Sequence, residues 1–163
     1  KEGLRSGRID IGLATLWDEE LPGIDYHPLL RMPMVLLVPK KSGITELRQI
    51  IEKDRIDLPL ITLPHHEPSC RHFLAELHKQ GVDWFPSLEL ASLDLVSSYV
   101  SSGFGIGLSV LIPDVPLPKD LRVLKLTNFP EVHFGAFTSG LTSPLIQQFL
   151  EQAKAVAARM MGG

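Results

Sequence analysis

A chain of 163 residues, 44% hydrophobic and 21% charged, has the composition of an ordinary globular protein, long enough for one domain or two small lobes around a substantial core. Its net charge of −3, with no basic run longer than Lys40-Lys41, argues against nucleic-acid binding by this chain alone, because such binding neutralises several phosphates. No apolar run approaches a membrane span, no signal peptide begins at Lys1, and the single cysteine, Cys70, excludes an internal disulfide.

Along the chain, a short basic turn at Arg5-Ser6-Gly7-Arg8 leads into Ile9, Ile11 and Leu13, which alternate with Asp10, Gly12 and Ala14 as a strand does. Pro22-Gly23 marks a turn. Val35-Leu36-Leu37-Val38 is continuously apolar, the pattern of a central strand covered on both faces. Ile44, Leu47, Ile50 and Ile51 make one helical face, and Leu60-Ile61-Thr62-Leu63 is the next strand. A loop from Pro64 to Ser69 precedes a helix on which Cys70, Phe73, Leu74 and Leu77 share a side, and Leu88-Glu89-Leu90 is a third short strand.

Leu93, Val96 and Val100 then recur at helical spacing behind a capping Ser92, and Gly103 falls where a left-handed C-cap belongs. Ile106, Leu108 and Val110 alternate as a strand. Gly103, Gly105 and Gly107 imitate a phosphate-binding loop, but such a loop runs strand, glycines, helix, so that phosphate meets a helix N-terminus. Here the helix presents its negative end instead.

From Pro113 to Pro118 the chain is proline-rich and irregular; strands resume at Val123, Leu124, Leu126 and at Val132, Phe134, Phe137. Ser143-Pro144 opens a last helix whose Leu145, Ile146, Phe149, Leu150, Ala153 and Val156 form one apolar stripe. Strands alternating with helices predict an α/β fold with mostly parallel sheets. Residues 1–30 with 122–163 are assigned to one lobe and 31–121 to the other, linked by two crossings near Leu30 and Arg122, the layout of a hinged cleft.

The block Leu4-Arg5-Ser6-Gly7-Arg8-Ile9-Asp10-Ile11-Gly12-Leu13 resembles a characteristic strand of LysR-type transcriptional regulators. Further blocks follow in the family's order. They are Pro28-Leu29 through Val35-Leu36-Leu37-Val38-Pro39, Leu58-Pro59-Leu60-Ile61-Thr62 with Ser69-Cys70-Arg71, Val100 through Leu108, and Ser143-Pro144 with Phe149-Leu150. Ser109 departs from the pattern, since the family more often has a small apolar or proline-containing run there. Members of the family carry an N-terminal winged helix-turn-helix and a linker helix, and their effector domain opens ahead of the Gly7–Asp10 block. The resemblance therefore implies a two-lobed, periplasmic-binding-protein-like (type 2) effector domain, truncated at its front. A transporter solute-binding protein, which shares that architecture, is the alternative.

The resemblance places a small-molecule inducer, such as a small organic acid, in the cleft between the lobes. It implies contacts from Thr62 and from the loop bearing Pro64, His65 and Ser69, and from Ala91-Ser92 at the next helix. Thr62 as a plain strand-end residue and the two serines as plain helix caps are the competing readings. Ala14 and Thr15 end the first strand and are expected on the opposite wall, because ligands sit beyond the carboxyl ends of parallel strands. A loop histidine such as His65 would pair with an anionic inducer.

His65, His66, Glu67, Cys70, His72 and His78 cluster in sequence, but His72 and His78 point about 240° apart at ~100° per residue, so no metal site is expected. Cys70, on the apolar face of its helix, reads as a small hydrophobe. No serine sits in a nucleophile elbow, and Glu19-Glu20 reads as a solvated pair, so neither catalysis nor a cofactor is expected. The expected setting is the cytoplasm. The expected partners are the inducer, further copies in a homodimer or homotetramer, and DNA through the separate helix-turn-helix.

Overall fold

A computed structural model of the protein describes residues 1–16, 21–51, 58–140 and 143–162; the Glu19-Glu20 pair lies outside them. In chain order the elements are α1 (Glu2–Arg5), β1 (Ile11–Thr15), β2 (Ile24–Met32), β3 (Met34–Pro39), α2 (Arg48–Ile51), β4 (Leu60–Thr62), α3 (Pro68–Lys79), β5 (Pro86–Glu89), α4 (Leu93–Ser101), β6 (Ile106–Val110), β7 (Leu121–Lys125), β8 (Val132–Ser139) and α5 (Pro144–Met161). They fall into two compact units, Lys1–Met32 with Val132–Gly163, and Pro33–Glu131. The second crossing was expected near Arg122. Residues Leu121–Lys125 instead form a strand paired with β3, and the second unit runs on to Glu131.

The first unit is a three-stranded sheet in the order β1-β8-β2, antiparallel throughout. Tyr26 and Phe137 meet ring to ring at 5.0 Å, and Gly135 lies opposite both Ala14 and Pro28. A Cβ at Gly135 would come within 2.3 Å of the Tyr26 ring and 2.5 Å of the His27 carbonyl, so the crossing of three strands at this point requires glycine. Ser143 caps α5 by accepting the Ile146 N–H, and Pro144 opens its first turn. The helix packs on β2 and buries Leu150 and Ala157. The apolar stripe read from the sequence is only half covered: Leu145, Phe149 and Val156 remain 75%, 43% and 43% exposed.

The second unit is a five-stranded mixed sheet in the order β5-β4-β6-β3-β7. Only the pairs β4–β5 and β4–β6 are parallel; β3 runs antiparallel to both β6 and β7. The expectation of mostly parallel sheets is therefore corrected to mixed ones. Among the described residues, the helical crossovers between parallel strands are β4-α3-β5 and β5-α4-β6, and parallel pairing requires such a crossover. The central strand reads as its composition demands, with Val35, Leu36, Leu37 and Val38 all fully buried.

The junction from α4 to β6 sets how closely helix and sheet approach. Gly103 takes φ +85° after Ser102 ends the helix. The Gly103 N–H then donates to the Val100 carbonyl at 2.9 Å and the Phe104 N–H to the Tyr99 carbonyl at 3.1 Å, a Schellman motif closed by the Tyr99–Phe104 ring contact at 5.3 Å. Gly107 then lies directly under α4, where a Cβ would sit 2.7 Å from both Val96 and Val100. The three glycines thus serve a C-cap and close packing, not a phosphate.

Candidate functional site

The parallel strands β4 and β5 end side by side, with Thr62 opposite Glu89 and the Leu90 N–H donating to the Thr62 carbonyl at 2.8 Å. Each strand then enters a loop and a helix. After β4, a turn closed by the Glu67 N–H on the Pro64 carbonyl (2.9 Å) places His65 and His66 at its exposed tip, and α3 begins. After β5, Ala91 stands exposed and Ser92 caps α4. Two helix N-termini thus open at one edge of the sheet, where their positive ends and first-turn N–H groups are directed.

Ser92 accepts the Leu95 N–H at 3.3 Å, so its hydroxyl is engaged as a cap. Ser69 is not a cap: α3 starts one residue earlier, at Pro68, with Glu67 in the capping position and no side-chain cap bond. Pro68 brings no N–H, which leaves those of Ser69 and Cys70 as the donors of that first turn. The hydroxyl of Thr62 is fully buried, and its Oγ1 makes no hydrogen bond of ordinary geometry among the described residues. Its close neighbour is the buried Cys70 thiol, whose pKa is raised above 9.0 chiefly by burial, lowered in part by Thr62 and raised further by the Glu89 carboxylate. A neutral, buried thiol is a poor nucleophile.

His65 Nδ1 lies 3.2 Å from Glu89 Oε1, bridging the two loops across the strand ends. Sequence reading treated Glu89 only as part of a strand. Its place as the last residue of a strand parallel to β4 was the signal that it faces the same edge as Thr62. The second unit therefore brings together Thr62, Pro64, His65, Ser69, Ala91 and Ser92, and adds Glu89 and Cys70. Ala14 and Thr15 belong to the first unit, where both are half-buried in β1 and pair with Gly135 and Phe134 of β8. Ala14 lines a small cavity of about 120 Å³ there with Leu4, Ile24 and Phe137. Among the described residues, no three His, Cys, Asp or Glu side chains gather as metal ligands.

The family described as the LysR substrate binding domain matches residues 1–158. The chain belongs to that family. Solved structures agree on the fold. The cofactor-binding domain of the Cbl transcriptional regulator matches with TM-score 0.77 and 23% identity, over 94% of this chain and 69% of that one. The Synechocystis PCC6803 CcmR regulatory domain, in complex with 2-PG, matches with TM-score 0.75 and 19% identity, over 96% and 77%. HinK, a LysR family transcriptional regulator from Pseudomonas aeruginosa, matches with TM-score 0.73 and 21% identity, over 96% and 55%. No curated protein sequence matches the chain significantly.

The LysR-domain chain spans little more than half the length of the full-length regulators it matches, 55% of HinK and 54% of CbnR. The fold is the family's two-lobed, periplasmic-binding-protein-like one, and the family is an effector-binding domain of regulators, not an enzyme class. A transporter solute binder is not favoured. No described helix is long and apolar enough to cross a membrane.

Proposed function

We propose that this domain senses a small organic acid held against the ends of β4 and β5. The observation that carries this reading is the pair of helix N-termini opening beside a buried Thr62 hydroxyl whose close side-chain neighbour is the Cys70 thiol. Thr62 and the Ser69 N–H contact the ligand, Pro64 and Ala91 shape the pocket, Ser92 holds the second helix end in place, and His65 supplies a proton-bearing partner tethered by Glu89. Ala14 and Thr15 contribute from the first unit, on the family resemblance alone. A carboxylate suits the two helix ends, while Glu89 and Glu67 disfavour multiply charged acids.

In the whole protein, the effector biases the relative pose of the two lobes, and the bias passes through homodimer or homotetramer contacts to a cytoplasmic, DNA-bound winged helix-turn-helix. The shift equals the effector's differential affinity for the poses and no more. The test is calorimetry of the domain against small monocarboxylates and their neutral amides, repeated on Thr62→Val. The reading expects acids to bind and amides not to, with about tenfold weaker binding in the variant, since a lost hydrogen bond to a charged group costs roughly 1.5 kcal/mol or more. Equal binding by acid and amide, or an unchanged variant, contradicts it.

A further inference from the structure

At the same edge, where β6 ends parallel to β4 and α4 opens behind Ser92, the second unit holds a cavity of about 440 Å³ lined by none of the residues of the site above. One wall is the Leu93, Asp94, Ser97 and Ser98 side of α4, another is the end of β6 from Ser109, and the cover is the proline strap that follows. Its volume lies within the ~300–1,000 Å³ of small-molecule sites.

The strap keeps the cavity open. Pro113 and Asp114 are the central residues of a turn closed by the Val115 N–H on the Ile112 carbonyl (3.2 Å), and Asp114 holds φ +60°, as a type II turn requires. A second turn is closed by the Leu121 N–H on the Pro118 carbonyl at 3.1 Å. Lys40 anchors the far end, its N–H on the Asp120 carbonyl and its Nζ on the Lys119 carbonyl. Leu111 and Leu117 reach past the cavity into the core formed around Val35, Leu37 and Val96. Three prolines and two closed turns resist collapse into the space.

Two hydroxyls inside it are under-used. Ser98 and Ser102 donate back to helical carbonyls, as serines in helices commonly do. Ser97, only 8% exposed, makes no such bond among the described residues. Ser109, 3% exposed, has only a 3.5 Å contact with the next carbonyl. The Ser97 hydroxyl, with no hydrogen bond among the described residues, and the weakly engaged Ser109 hydroxyl are therefore available to a guest in the cavity. Around them the lining is apolar, from Leu93, Val110, Leu111, Ile112 and Val115. Among the described lining residues, Asp94 and Lys119 carry the charge and cancel in sign.

We infer that the space under the proline strap is a second ligand site, for a small uncharged amphiphile such as a phenol or cyclic alcohol, whose hydroxyl is met by Ser97 and Ser109. The probes are 4-methylphenol and its apolar twin toluene, titrated into the ¹⁵N-labelled full chain and followed by amide shifts. The expected result is a Kd of about 1 mM for 4-methylphenol, with shifts at Ser97, Ser109, Leu111 and Val115 and none at Thr62, His65 or Ala91. Ser97→Ala should weaken 4-methylphenol about five- to tenfold and leave toluene unchanged, the signature of one lost hydrogen bond. Val115→Trp, which changes a half-exposed rim residue, should abolish both with the remaining spectrum native. Shifts at the β4–β5 edge instead, no shifts to 20-fold above that Kd, or equal losses for both probes in Ser97→Ala would overturn the site.

Discussion

The two units bury their apolar residues to very different degrees. In the second, a strand of four consecutive fully buried residues runs through a five-stranded sheet, with α4 pressed onto it at Gly107 and α3 burying Cys70, Phe73 and Leu77. In the first, a three-stranded sheet is covered by a single long helix, and Ile9, Leu13, Leu145, Phe149 and Val156 remain between 43% and 75% exposed. Burying one large aliphatic side chain is worth roughly 1.5–3 kcal/mol, so the difference decides where stability resides. The second unit carries the candidate site on its own closed core; the first draws less from each apolar residue it spends.

That contrast is sharpest for core truncation. Leu37→Ala should cost about 3–4 kcal/mol, whereas Phe149→Ala, already 43% exposed, should cost about 1 kcal/mol. Urea unfolding followed by circular dichroism measures both, and equal losses would break the comparison. Glycine substitutions sharpen it next. Gly107→Ala forces its Cβ against two valines of α4 and should cost about 2 kcal/mol. Gly23→Ala in the first unit meets open space at φ +75° and should cost only about 1 kcal/mol of backbone strain.

The smallest effect is alkaline. Burial is the main cause that raises Cys70 above 9.0 in the second unit and Tyr26 above 10.0 in the first, with Arg31 partly opposing the shift at Tyr26. In each case the unfolded chain releases its proton first. Stability is therefore complete below the unfolded value and is lost as pH rises through the native one. Denaturant midpoints between pH 8 and 11 should begin to fall near pH 9, through Cys70, with a further loss above pH 10, through Tyr26. A flat profile would mean that neither group is held neutral by its unit.

Much of this was legible in the sequence because the signals were local. Ser92, Ser143-Pro144 and Gly103 announce their caps by residue type alone, and the run from Val35 to Val38 announces a buried strand. Strand direction was not legible: β3 and β6 pair antiparallel through contacts some seventy residues apart, which no local pattern encodes. The same limit applied to the site. Thr62 and the two loops were proposed on family likeness, whereas the His65–Glu89 bridge joins residues 24 apart and exists only once β4 and β5 align. The competing reading of Ser69 as a cap fails because Pro68 and Glu67 start α3 one residue sooner. On α5 the apolar stripe was real, but its periodicity does not state how much of it a neighbour covers.

The most direct test of the effector site is amide-shift mapping of the ¹⁵N-labelled chain with a single bound monocarboxylate, alongside Thr62→Val. The account predicts shifts at Thr62, His65, Ser69, Ala91 and Ser92 that vanish in the variant while its remaining spectrum stays native. Shifts confined to other parts of the chain, or unaltered by the variant, would contradict it.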